Sequence, residues 1–199
     1  MYRPFHLALV ALGAAALGWA LLLAGVGTLG QGGPLSVDAA QAGKRCSGAQ
    51  HSPKKLEVSR AQRLVICLVN KRRAAHGLKR VTYSKTVNSA AVAHTREMRK
   101  RNCFSHTCPG EPALPNRLDR ADYLPCGCDW GAAEAIAWGR GSSKGSPAGT
   151  VRSWMGSSSH RSTLLGKGFE HIGVGFRRGG PYSNSKKLGT YTLDVGFKR

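Results

Sequence analysis

Acidic side chains are scarce in this sequence. Ten Asp and Glu stand against 30 Lys and Arg over 199 residues, a net charge of +20. Charged residues make up only 20% and apolar residues 41%, which excludes wholesale disorder and allows a real core. The length excludes two full-sized domains and suits one domain with a tail. Aromatic residues are few, at 7%. Only Phe104 and Tyr123 lie near the basic run 96–101, so base stacking has little support and no specific nucleic-acid recognition is expected. Several short motifs are missing too. There is no G-x-S-x-G, no H-E-x-x-H, no phosphate-cradling glycine loop and no internal repeat, which removes the signatures of a nucleophile elbow, a zincin and a P-loop.

What is present begins with a segment that reads as an address. Residues 1–42 hold one base (Arg3) and one acid (Asp38), so the rest carries the whole net charge by itself. An apolar stretch runs from about Leu7 to Leu29 after Arg3, and Ala40-Gln41-Ala42 offers an A-x-A cleavage site. The stretch is long for a signal peptide and near the length that spans a bilayer, so residues 1–42 are expected to be a signal peptide or an N-terminal membrane anchor. Either places residues 43–199 outside the cytoplasm, secreted or membrane-anchored. A surface this basic attracts polyanions: nucleic acid, acidic wall polymers or anionic lipid headgroups.

All six cysteines (Cys46, Cys67, Cys103, Cys108, Cys126, Cys128) lie beyond that segment. An even count in an exported domain reads first as disulfides, with the pairing left open. Cys103-x4-Cys108 and Cys126-x-Cys128 fit the spacing of structural zinc knuckles poorly.

Residues 43–57 are poor in periodicity and read as a linker, leaving 58–199 as the domain. Val58–His76 is predicted to be helical, with Ala61, Leu64, Val65, Leu68 and Val69 at 3–4 spacing and Gly77 as the stop. Ser84–Arg101 is a second helix, on whose apolar stripe His94 reads as a hydrogen-bonded core histidine. Short helices are expected around Ala113–Ala121, over Ser146–Met155 and over Arg161–Leu165. Glu134–Trp138 reads as a strand. Two alternating strands, around Ile172–Phe176 and Tyr191–Phe197, close the chain as a hairpin across Gly179–Gly189. Helices first and an antiparallel pair last predict mixed α/β packing, with helices covering a sheet.

Nine of the ten carboxylates lie beyond residue 42, and Glu134 has no charged neighbour within three residues on either side. A carboxylate in such surroundings is costly unless paired, hydrogen-bonded or metal-bound; the plainer alternative is a Glu facing solvent from a strand edge. His106 lies in Cys103-Phe-Ser-His-Thr-Cys-Pro109, and His160 opens a short helix. Two imidazoles and a carboxylate make a possible three-ligand site for Zn²⁺ or another divalent cation, or an acid–base set without metal. Spacing alone does not bring the three together.

The stretch from Leu64 to Phe197 resembles the CAP superfamily, in its bacterial SCP-like extracellular branch (cysteine-rich secretory protein, antigen 5, pathogenesis-related). The matching pieces come in the family's order: Leu68-Val-Asn70 with Arg73 and Gly77-Leu78; Ala93-His94-Thr95 and Met98; Phe104-Ser-His106 and Pro109; Arg117-Leu118 before Tyr123; Glu134-Ala-Ile-Ala-Trp-Gly139; Trp154-Met155, Ser157 and His160-Arg161; then Phe169, Ile172–Gly175 and Tyr191–Phe197. The resemblance implies a single-domain α-β-α sandwich with a central antiparallel sheet flanked by helices. It implies that His106, Glu134 and His160 line one cleft as candidate catalytic or metal-binding residues, with Ser157 and Arg161 as candidate binding residues. The family's fuller site has two His and two Glu and binds Zn²⁺ or Mg²⁺ in some members. Here Ser157 stands where the second Glu is expected, and Ala133 and Ala135 replace the Gly and Asn that flank the motif Glu. The missing carboxylate lowers the expected metal affinity. Family members bind sterols or other lipids, act as toxins or defence proteins, or are proposed proteases and nucleases. The expectation for this chain is a binding module of the cell envelope or secretome, for a lipid, wall polymer or other anionic ligand. The alternatives are a metal-assisted hydrolase, protease- or nuclease-like, and a basic surface that binds polyanions.

Overall fold

The structure is a computed structural model that describes residues 46–124 and 127–199. The expected signal peptide or anchor (1–42) and Cys126 lie outside the described residues. Among these, no helix is long and apolar enough to cross a membrane.

Five α-helices and four strands make up the described residues. In chain order they are α1 (Val58–Ala75), β1 (Thr82–Tyr83), α2 (Lys85–Lys100), α3 (Leu114–Asp119), β2 (Trp130–Arg140), α4 (Pro147–Gly156), α5 (Ser158–Leu165), β3 (His171–Arg178) and β4 (Leu188–Lys198). The sheet order is β1-β3-β4-β2. β4 runs antiparallel to both β3 and β2, and the two-residue β1 lies parallel to β3. The result is the α-β-α sandwich with a central, mainly antiparallel sheet that the sequence points to. The short parallel β1 has no counterpart in the sequence expectation, because two residues carry no period.

α1 forms where its apolar residues repeat at 3–4 spacing, and Ala61, Leu64, Val65 and Val69 are buried. Gly77 leaves the helix at φ +66°, a conformation glycine adopts without steric cost. Arg73 is buried and donates to the carbonyls of Lys79, Leu164 and Gly166, so one guanidinium ties the end of α1 to the end of α5. α2 starts at Ser84, whose hydroxyl accepts from the Val87 amide, and α4 starts at Ser146, which accepts from Gly149.

The sheet has two different faces. Ala135, Ile172, Val174, Phe176, Tyr191, Leu193 and Val195 pack with α1, α4 and α5 in the main apolar core. The opposite face lies under α2 and α3. There Gly173 and Gly175 let α2 approach closely: a Cβ at Gly175 would collide with Thr95 Oγ1 and the Ala91 carbonyl, and one at Gly173 with the backbone at Val87 and Asn88. The alternation in β4 predicts one apolar face and one polar face, but Leu188 to Gly196 are all buried. Thr190, Thr192 and Asp194 thus lie inside the molecule.

Two sequence expectations need adjustment. The strand expected over 134–138 runs from Trp130 to Arg140, because every residue pairs with β4 from Lys198 back to Leu188. The linker expected over 43–57 is not free from residue 46 onward. Cys46, Ala49, Pro53 and Leu56 are buried, Cys46 is disulfide-bonded to Cys67 on α1, and Ala148 donates its amide to the Ala49 carbonyl. Four buried side chains at irregular spacing leave no periodic signal. The second bridge joins Cys103 to Cys108, and Cys128 is also disulfide-bonded, so disulfides are what these cysteines form.

Candidate functional site: a buried charge cluster beneath an exposed histidine

Glu134 sits on β2 directly opposite Asp194 on β4, on the face that α2 and α3 cover. Strand pairing places both carboxyl groups on one side of the sheet. The Glu134 side chain is only 4% exposed, so it is not a solvent-facing edge residue. Three cationic or ionisable groups reach it. The His106 Nδ1 lies 2.8 Å from its Oε1. Arg117, on α3, donates from Nη2 to its Oε2 at 2.5 Å. His94, on α2, points its Nε2 at Oε1 from 3.8 Å.

Each partner is held in place from behind. Arg117 also donates from Nη1 to the carbonyls of His106 and Pro112, so it positions the His106 loop as well as Glu134. The disulfide between Cys103 and Cys108 closes that loop on both sides of His106. His94 is fully buried and bonds through Nδ1 to the Glu111 carboxylate at 2.8 Å. It is the hydrogen-bonded core histidine that its place on the apolar stripe predicts. The bond to Glu111 holds the ring so that Nε2 faces Glu134.

The ionisation of these groups follows from their surroundings. Burial pushes the Asp194 carboxyl well above the usual carboxylate range; the Glu134 charge adds to this and Arg117 partly opposes it. That favours the protonated form of Asp194. The hydrogen bond to Glu134 raises His106 above the ordinary histidine value, against the effect of burial. His160, on α5, is lowered by burial, and the charge of His106 acts in the same direction. Four buried side-chain atoms lack a partner in hydrogen-bond geometry among the described residues: His94 Nε2, Arg117 Nε and both Asp194 oxygens. All four belong to this cluster.

The other candidates lie apart from it. Ser157 joins α4 to α5, its hydroxyl 3.1 Å from that of Ser159. Arg161 is exposed and donates to the Met155 carbonyl, completing the end of α4. Neither touches Glu134. Glu111 and Asp194 escape the sequence reading, although the signal that singles out Glu134 fits them equally: neither has a charged residue within three positions.

The arrangement does not fit a resident Zn²⁺ or other divalent cation. Among the described residues, no three His, Cys, Asp or Glu side chains are placed to hold a metal ion. Both oxygens of Glu134 are engaged, and an incoming cation would meet the guanidinium of Arg117.

This fold is that of a known class of domains. The chain belongs to the CAP (cysteine-rich secretory protein) family, whose model matches residues 67–193. It is 31% identical over 134 residues to the uncharacterised protein YkwD of Bacillus subtilis (strain 168), covering 66% of this chain and 48% of that protein. It is 29% identical over 127 residues to the uncharacterised membrane protein YlbC of the same organism, covering 63% and 34%. The chain thus spans about half or less of these relatives. Among solved structures, an extracellular SCP-domain protein of Bacillus anthracis superposes with a TM-score of 0.56 at 25% identity, over 69% of this chain and 40% of that one. An outer surface protein of Borrelia burgdorferi gives 0.56 at 15% identity, over 68% and 91%, and shows the fold alone.

Proposed function

We propose that the chain is an exported binding module of the cell envelope, that its ligand is anionic, and that the Glu134 cluster serves to hold the domain's architecture. One observation carries this reading. Glu134, the carboxylate best placed for chemistry, is bound by His106 and Arg117 and sealed from solvent, so it is poorly placed to take a proton from a substrate. The charge of +20 supplies the attraction for an anion. The similarity to proteins described as an extracellular protein and a membrane protein supports the export. The test is co-sedimentation with cell-wall sacculi before and after their anionic polymers are stripped. Binding is expected to need the polymers and to weaken between about 50 and 200 mM salt, as counterion release requires. Equal binding to stripped walls sinks the reading.

A second reading has one observation in its favour. The His106 imidazole is 59% exposed and oriented by the Glu134 carboxylate at 2.8 Å, which is how a general base is held. The reaction class is hydrolysis with His106 as base and His160 nearby. Hydrolytic activity that survives the His106→Ala/His160→Ala change rules it out.

A further inference from the structure

A groove of about 360 Å³ runs between the outer side of α2 and residues 110–121. That volume lies at the small end of the range for small-molecule sites. One wall is Ser89, Ala93, Arg96 and Lys100, successive positions on one side of α2. At about 1.5 Å per residue this wall is about 16 Å long. The facing wall includes Pro112, Arg120 and Ala121, with Arg117 and Glu111 between.

The cations of the groove divide into two groups. Arg101 and Arg117 are committed to the protein: Arg101 donates to Glu97 and to the Pro109 carbonyl, and Arg117 to the Glu134 cluster. Arg96 has only a loose approach to Glu97, at 3.5 Å, and is largely exposed. Lys100 and Arg120 are exposed and neither is paired with a carboxylate among the described residues. The carboxylates Glu97 and Glu111 leave the five cations in surplus. The hydrogen bond from Arg101 holds the Glu97 carboxyl below its ordinary value against burial, and the charges of Arg101, Lys100 and Arg96 add to this. A basic end to a helix is often no more than a complement to its dipole. Arg120 does not belong to α2, however, and its charge is added to the groove from the 110–121 side.

We infer that this groove binds a run of linked phosphate groups, with Arg96, Lys100 and Arg120 as the contacts. Guanidinium forks match phosphate oxygens in pairs, and the lysine adds a point charge. Arg96 and Lys100, four residues apart, stand about 6 Å apart along α2, with Arg120 on the 110–121 side, a spread that suits more than one linked phosphate. The carboxylates already in the groove weaken it for a singly charged acid. A membrane surface is the poorer match, since the groove is recessed and its apolar lining is alanine and proline, with no large side chain to insert. The ligand is therefore a phosphate-linked polymer. The inference rests on the anionic-ligand reading above and adds its place and chemistry.

The test is calorimetry of the oxidised full-length protein with sodium tripolyphosphate at about 50 and 200 mM NaCl, the range over which counterion release is read. Arg96→Gln/Lys100→Gln/Arg120→Gln is compared with Lys79→Gln/Arg80→Gln/Lys167→Gln, which removes the same charge from a second basic groove. The α2 variant is expected to lose at least tenfold in affinity and the control less than threefold, both with unchanged circular dichroism. Equal losses in the two variants overturn the groove and leave a diffuse anionic surface. A wild-type protein that ignores tripolyphosphate but sediments with unstripped walls overturns the phosphate chemistry alone. Failure with both overturns the anionic-ligand reading itself. Binding to phosphatidylglycerol vesicles in place of tripolyphosphate overturns the polymer assignment.

Discussion

Glu134 and Asp194 face each other across β2 and β4, two carboxyl groups side by side in the interior. Arg117 is the permanent cation beside them, with His106 bonded to Glu134, and Asp194 is the member whose neutral form the surroundings favour. Above its ordinary value of 3.8 the unfolded chain has released the Asp194 proton while the folded chain still holds it. Folding then takes up a proton, and stability falls as pH rises until the folded carboxyl also ionises. Asp194→Asn is expected to remove this decline. Melting temperatures of the two proteins should agree below about pH 4 and diverge in favour of the variant as pH rises, since the unfolded carboxyl titrates near there. Parallel curves would show that Asp194 ionises alike in both states.

Glu134→Gln acts in two places. It removes the close counter-charge of the buried Arg117 and leaves it only the longer approach to Glu111, at 3.9 Å, and urea unfolding should show a loss of about 3 kcal/mol. It also removes the main cause of the raised His106 value, so the His106 resonance should titrate closer to 6.5 than in the wild type. In the wild type, the stabilisation from protonated His106 is complete below about 6.5 and disappears as pH rises through the folded value. An unchanged titration would show that the hydrogen bond to Glu134 is not formed in solution.

Gly175→Ala places a methyl group where α2 lies on β3, against Thr95 Oγ1 and a backbone carbonyl. The helix cannot yield without disturbing His94, the residue next to Thr95. The expected cost is about 3 kcal/mol, the upper end for overpacking. A change below about 1 kcal/mol would show that the two layers slide more freely than their contact suggests.

The disulfide between Cys46 and Cys67 spans 21 residues and fastens the segment before α1. The Cys46→Ala/Cys67→Ala variant should lose about 3 kcal/mol in urea, by the loop-entropy argument. It should also become sensitive to proteolysis at residues 46–57. Protection equal to that of the wild type would mean that Ala49, Pro53 and Leu56 hold the segment unaided.

Zinc titration should give no one-to-one site that depends on the histidines, because Arg117 occupies the place beside Glu134 that a cation would need. One ion per chain at micromolar affinity, lost in His106→Ala/His160→Ala, would show instead that the cluster opens around metal.

The helices and the two inner strands, β3 and β4, are legible because their apolar residues keep a period: α1 and α2 end within two residues of where the spacing places them. Glu134 is legible because a lone acid among alanines stands out. Its partners are harder to see. Arg117 and Glu111 lie in a proline-rich stretch without period, and Asp194 occupies the polar position of an alternating strand, which normally means solvent. Close approach of α2 through Gly173 and Gly175 turns that position inward, and such approach depends on tertiary packing that no local pattern records.

Nine successive residues of β4, Leu188 to Gly196, are buried on both sides, and this constrains how the protein can change. Leu193 and Val195 belong to the apolar layer while Asp194 between them belongs to the ionic one. A substitution on this strand that shifts the backbone to suit one layer displaces side chains in the other. The strand therefore tolerates substitution poorly, and change is easier in the elements around it, where α2 and the 110–121 segment meet solvent.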